Sequence, residues 1–240
     1  MTAYRLLVIV HGLIGLIALL SFWSAALLRK GGLWHRRVGR VYLFAMAGIL
    51  LTAVPIAVAI FLDKRPVAGV FLGFLSVITA AGVWNQWRSI RDRQDVARYT
   101  GPVFVGLGLL SLASGLLVLG FGLKTGTGLL AGFSLVGILG GGAQLYKRRH
   151  RTRLAARPRW WMIEHYTAVL GNGIATHIAF LAIGLPRLLP AVEGETLQAL
   201  AWFGPLLVAV LAKGWLDRRW KRAPAPHAAA RGAAEAGPAG

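Results

Sequence analysis

The sequence contains no cysteine, which excludes disulfide bonds, thiolate metal ligands and cysteine nucleophiles. Acidic residues are also scarce, since Asp and Glu total 8 against 27 Lys and Arg. Most of these carboxylates fall in predicted loops, near helix ends or in the C-terminal tail, so paired-carboxylate catalysis is not expected. The glycine-rich stretches follow no predicted strand, which excludes a phosphate-binding loop of the usual kind.

Apolar residues are abundant instead. Hydrophobic residues make up 56% of the 240 positions, and charged residues only 15%. The 31 glycines are consistent with this composition, because membrane helices pack closely through small residues. Together these values predict a polytopic membrane protein.

Seven apolar segments approach the roughly 20 residues that an α-helix needs to cross a bilayer. They cover residues 4–28, 41–62, 67–87, 102–123, 126–146, 160–185 and 197–216. We therefore predict an all-α helix bundle with seven transmembrane helices within residues 1–222. The Ala-, Pro- and Gly-rich residues 223–240 are predicted to form a disordered tail.

The basic residues are distributed unevenly between the two sides of these spans. The first, third and fifth connections and the C-terminal region hold 22 of the 27 Lys and Arg. The positive-inside rule then predicts an outer N-terminus and a cytoplasmic C-terminus and tail. The net charge of +19 is thereby explained by loops that lie against anionic lipid headgroups, and nucleic acid is not an expected partner.

Two histidines lie at a similar predicted depth in the outer half of the bundle. His11 is seven residues into the first span, and His177 is eight residues short of the end of the sixth. Gly15 and Gly173 lie one helical turn deeper beside them. Imidazole is a usual axial ligand of haem iron, and a small neighbour leaves room for a flat macrocycle. The pattern predicts a haem b whose iron is bound by His11 and His177.

A second polar group lies toward the inner end. His35 precedes the second span and His165 is one turn into the sixth, so these two histidines also share a predicted level. Asn172 and Thr176 follow His165 by seven and eleven residues, which places all three on one helical face. With Glu164 at its cytoplasmic mouth, this polar stripe could line a path for protons or a small solute. It could equally join neighbouring helices through hydrogen bonds.

Two stretches carry recognisable motifs. Residues 11–46 contain His-Gly in the first span, then Lys-Gly-Gly, His-Arg and Gly-Arg-Val-Tyr at the entry to the second. Residues 160–180 contain an aromatic-Met pair that is separated by two residues from His, and end in Ala-Phe. Both resemble a family of bacterial membrane proteins known as domain of unknown function two-three-zero-six. The resemblance implies a multi-pass protein of the bacterial inner membrane, and implies no activity, cofactor or catalytic residue.

Three functions remain open at this point. The first is a redox carrier with a b-type haem or a quinone near His11 and His177. The second is a proton-coupled transporter of a small solute that uses the polar stripe, and the third is a non-catalytic subunit that supports a membrane partner protein. We rank the redox carrier first, because it alone accounts for the paired depth and the adjacent glycines.

Overall fold

The structure is a computed structural model, and it describes residues 2–188 and 194–221. These residues form helices and connecting turns, with no strand among them. Seven of the helices are long and apolar enough to cross a membrane. The predicted all-α class and the count of seven membrane-length helices are therefore confirmed. The predicted tail at 223–240 lies outside the described residues.

The helices are numbered in chain order, and their bounds are α1 Ala3–Leu27, α2 Leu33–Leu62, α3 Pro66–Arg91, α4 Val96–Tyr99, α5 Pro102–Thr125, α6 Gly128–Arg149, α7 Arg151–Ala155, α8 Trp160–Ile178, α9 Leu185–Leu188 and α10 Glu195–Lys221. A π-helical segment, Ala179–Gly184, joins α8 to α9, so these three form one continuous span. The short helices α4 and α7 belong to connections between spans.

Helix α2 begins earlier than predicted. It starts at Leu33, directly after the N-cap residue Gly32, and so extends the predicted span 41–62 by eight residues. Hydropathy detects only the part of a helix that lies in lipid, whereas arginines are good helix formers and let the helix continue beyond it. As a result His35, which was predicted to lie in a loop, is in the first turn of α2.

Helices α5 and α6 form a tight hairpin. Gly126 has a φ of +67° and ends α5 with the bond pattern of a Schellman motif, in which Thr127 N donates to Gly122 O over 2.9 Å. The two helices then approach so closely that a Cβ at Gly141 would lie 2.5 Å from the carbonyl oxygen of Gly108. Small residues are thus what allows this pair of helices to pack.

Four helices form a ring around a central space. Helix α1 packs against α2, α2 against α3, α3 against α8, and α8 against α1. The α5–α6 hairpin packs on the outside of α3, and α10 packs on α8. This central space is filled by side chains of the four helices, among them the buried Ala18, Tyr42, Ala45 and Met46.

The two ends of the bundle differ in charge. Because successive spans are joined by short connections and alternate in direction, the arginine- and lysine-rich connections and the end of α10 lie at one end, which we call the basic end. Helices α2, α5 and α8 begin there, and α1, α3, α6 and α10 finish there. The short helices α4 and α7 also lie at this end, where they help to form a hydrophobic cluster of Val96, Tyr99, Phe104, Leu154 and Trp160.

Candidate functional site

Helices α2 and α8 run in the same direction and meet across the central space. Thr176 Oγ1 lies 3.3 Å from the hydroxyl oxygen of Tyr42 and 3.6 Å from the sulfur of Met46. The sequence separations of these contacts are 134 and 130 residues. These contacts fix the relative height and rotation of the two helices.

The same offset aligns two histidines at the basic end. His165 follows His35 by 130 residues, which is also the separation between Met46 and Thr176. His35 precedes Tyr42 and Met46 by seven and eleven positions, and His165 precedes Asn172 and Thr176 by the same two steps. Steps of seven and eleven return to the same helical face, so both imidazoles belong to the faces that meet. The structure thus places His35 and His165 at one level of the basic end, on the faces of α2 and α8 that meet.

Both rings are oriented by backbone carbonyls. The Nδ1 atom of His35 lies 3.0 Å from Ala25 O at the end of α1, and that of His165 lies 3.2 Å from Gln86 O in α3. A carbonyl oxygen only accepts, so each Nδ1 carries the hydrogen and the neutral ring keeps its lone pair on Nε2. A hydrogen bond from the other ring nitrogen to a carbonyl is the usual way in which proteins orient a metal-binding histidine.

A lysine ammonium lies beside this pair. Lys30 Nζ donates to Ala25 O over 3.0 Å, the same carbonyl oxygen that accepts from His35. Burial lowers the pKa of Lys30 from its usual value, because a charged ammonium loses water there. A cation is therefore held close to one of the two imidazoles.

Farther from the basic end, the interior of the ring holds a hydrogen-bonded polar network. Asn172 Nδ2 donates to Gln86 Oε1 over 2.7 Å, and Thr176 Oγ1 donates to Asn172 O over 2.9 Å. Tyr42 completes the network through its contact with Thr176. The residues of the predicted polar stripe thus bond to one another and to α2 and α3. Cavities of about 860 and 390 Å³ lie elsewhere, beside α10 and at the α3–α4 turn.

Glu164 does not stand at the mouth of the stripe, which corrects the prediction. Its Oε2 atom accepts from Tyr99 OH over 3.0 Å and from Lys147 Nζ over 2.7 Å, so it faces α4 and α6. The reason is helical rotation, since adjacent residues differ by about 100° and His165 faces the centre. Burial and then the neighbouring carboxylate hold the pKa of Tyr99 well above its usual range, which keeps its phenol protonated as a donor.

The predicted outer pair does not form. His11 contacts Thr52 of α2, with its Nδ1 atom 2.7 Å from the hydroxyl oxygen. His177 instead meets Trp23, whose indole N–H donates to His177 Nε2 over 2.9 Å. Trp23 is twelve residues beyond His11 on α1, a distance of roughly 18 Å along the helix. The two histidines therefore lie at different depths, and the prediction that they share one haem is wrong.

The error arises from helix stagger. His177 is 17 residues beyond the start of α8, whereas its partner Trp23 is only 4 residues before the end of α1. Counting residues from span ends assumes that helices finish in one plane, and these two do not. The neighbouring glycines differ as well: nothing lies within 4 Å of a Cβ built at Gly15, but one at Gly173 would lie 2.8 Å from the ring of Phe22. Phe22 thus occupies the room expected beside His177.

The sequence did not point to Gln86 or Tyr42 as members of the site. Gln86 is 5% exposed and Tyr42 is 2% exposed, and each stands near the polar end of an apolar span. A buried glutamine inside a membrane-length helix is itself a signal, because such groups need a partner. Which partner it finds depends on the packing of α3 against α8.

No family model, curated protein or solved structure matches this chain. The resemblance to the domain of unknown function therefore stays a prediction, and function is argued from the site alone.

Proposed function

We propose that this chain is a redox carrier of the bacterial cytoplasmic membrane that binds one b-type haem between His35 and His165. The observation that carries the proposal is the pair of imidazoles at one level of the basic end, each with Nδ1 committed to a carbonyl and Nε2 left as the ligand atom. The basic end then faces the cytoplasm and the N-terminus lies outside, in accord with the charge distribution.

The donor set fits haem iron better than a free metal ion. Zinc and similar ions take about four ligands from the protein in structural sites and three in catalytic sites. Within residues 2–188 and 194–221 no group of three or more His, Cys, Asp or Glu could hold a metal ion. The macrocycle provides four ligands itself, so two imidazoles suffice. Gly39, one turn beyond His35, has no atom within 4 Å of an added Cβ, which leaves space beside the ligand helix.

The surroundings favour an anionic cofactor that exchanges electrons at the basic end. The Lys30 ammonium would offset the negative charge of the haem carboxylates, as would the arginines at the start of α2. When bound, the haem supplies one-electron chemistry. Because the hydrogen-bonded network of Gln86, Asn172 and Thr176 lies between the two histidines and the opposite end, the proposal places access to the haem at the basic end.

The test is the reduced-minus-oxidised visible spectrum of the detergent-purified protein, expressed with a haem precursor. We expect Soret and alpha bands with up to one haem per chain, and their loss in His35→Ala and in His165→Ala. His11→Ala in α1 and His177→Ala in α8 are the controls: each also removes one imidazole from a membrane-length helix, and both should keep the bands. A protein that stays colourless after haem reconstitution would overturn the proposal, as would pigment that depends on the control histidines instead.

A further inference from the structure

A polar cavity of about 390 Å³ lies at the basic end, beside the turn between α3 and α4. Its wall carries three guanidinium groups and two carboxylates, from Arg91, Arg93, Arg98, Asp92 and Asp95. None of these residues belongs to the histidine pair or its network. The cavity is therefore a separate feature of the basic end.

The carboxylates of this cavity are already engaged within the protein. Asp92 is only 3% exposed and forms ion pairs with Arg88 and with Arg98, whose Nε atom lies 3.5 Å from Asp92 Oδ1. Asp95 caps α4, because its Oδ1 accepts from the backbone N–H of Arg98 over 2.9 Å. These contacts hold the turn in place and offset its negative charge, while the buried Asp92 Oδ1 has no hydrogen-bond partner in the described part of the chain.

Two guanidinium groups remain to bind an anion. Within the described part of the chain, Arg91 and Arg93 form no ion pair with a carboxylate. The Arg91 guanidinium stacks over Trp87 at 5.3 Å from the ring centroid. Stacking fixes the plane of the guanidinium while its in-plane N–H groups stay available, which suits bidentate binding of a phosphate.

The cavity lies at the end of the membrane-length helix α3, next to its last turns. Trp84 and Trp87 occupy the last turns of α3, and the Arg88 guanidinium lies over both rings at 5.1 and 5.7 Å. Trp87 is 40% exposed and follows the apolar part of the span. Tryptophan at this position marks the interface between hydrocarbon and headgroups. A phosphate bound by Arg91 and Arg93 would thus lie at the natural depth of a phospholipid phosphate.

We propose that this cavity binds the headgroup phosphate of one anionic phospholipid, with Arg91 and Arg93 as its ligands and Trp87 as the support for Arg91. Anionic lipid carries the net negative charge that the two uncommitted cations require, whereas a zwitterionic lipid carries none. Trp87, which is 40% exposed, gives the acyl chains an apolar contact beside α3. This proposal is independent of haem binding.

The test counts lipid bound to the purified, delipidated protein in detergent. Phosphatidylglycerol or phosphatidylcholine is added at equal concentration in about 1 M salt, where the Debye length of about 3 Å suppresses general attraction between charges. We expect wild-type protein to retain phosphatidylglycerol at about one molecule per chain, and Arg91→Gln/Arg93→Gln to bind it at least about tenfold more weakly. Arg149→Gln/Arg151→Gln loses the same charge at the same end and should stay within about twofold of wild type.

Three results would overturn the proposal. Equal losses in the two double variants would assign the binding to overall charge, and equal retention of phosphatidylcholine would remove the role of net charge. Displacement of the lipid by an equal concentration of inorganic phosphate would identify a free-phosphate site. Trp87→Leu keeps every charge and provides a second variant: it should weaken phosphatidylglycerol binding, even where the arginine variant fails to fold.

Discussion

At the scale of single residues, the chemistry available to each histidine depends on what its second nitrogen contacts. His165 and His177 both place Nδ1 against a backbone carbonyl, at 3.2 and 2.7 Å. In His177 the Nε2 atom also accepts the indole N–H of Trp23, so its lone pair is used. This difference, more than depth or neighbouring glycines, separates a candidate ligand from a structural histidine.

The Asn172–Gln86 bond gives a prediction at the same scale. A Cβ at Gly82 would lie 2.3 Å from Asn172 Oδ1, so Gly82→Ala should displace the amide and lower the free energy of unfolding by about 1–3 kcal/mol. Asn172→Ala should lower the free energy of unfolding by about 1 kcal/mol, because its hydrogen bond to Gln86 is lost. In the double variant the clash is gone, so the two losses should not add.

Thermal unfolding in detergent of the wild type, the two single variants and the double variant measures the coupling between Gly82 and Asn172. Gly73→Ala on the same helix is the matched control, because nothing lies within 4 Å of its added Cβ, and it should leave stability almost unchanged. Additive losses in the double variant would mean that Asn172 does not pack against Gly82.

At the scale of helices, glycine determines how closely α5 and α6 approach. A Cβ at Gly141 would meet the carbonyl oxygen of Gly108 at 2.5 Å and the amide nitrogen of Leu112 at 2.7 Å. Both contacts are with backbone, so no rotamer change relieves them and the helices must separate. Gly140 and Gly142 flank this position and have nothing within 4 Å.

We therefore expect Gly141→Ala to lower the free energy of unfolding by about 1–3 kcal/mol, with Gly141→Val lowering it further. Gly140→Ala and Gly142→Ala should be neutral or slightly stabilising, since alanine is the better helix former. Unfolding followed by helical circular dichroism in detergent compares the four variants. A stable Gly141→Val protein would contradict the close packing of this hairpin.

At the scale of the whole molecule, the sequence predicted what is local and missed what depends on packing. The seven membrane-length helices were predictable, because hydropathy and length are properties of each segment alone. The stagger between α1 and α8 was not predictable, because it depends on which side chains pack against each other, such as Phe22 against Gly173. For the same reason the outer histidines were wrongly paired, whereas helical periodicity correctly placed His165, Asn172 and Thr176 on one face.

The orientation of the whole bundle remains a prediction, and the absence of cysteine makes it simple to test. A single introduced cysteine is then the one thiol in the chain. Thr125→Cys lies at the opposite end and Ala156→Cys at the basic end, both at exposed positions. With the basic end in the cytoplasm, a membrane-impermeant thiol reagent should label Thr125→Cys in intact cells, and Ala156→Cys only after the membrane is opened. The reverse pattern would place His35 and His165 at the outer face.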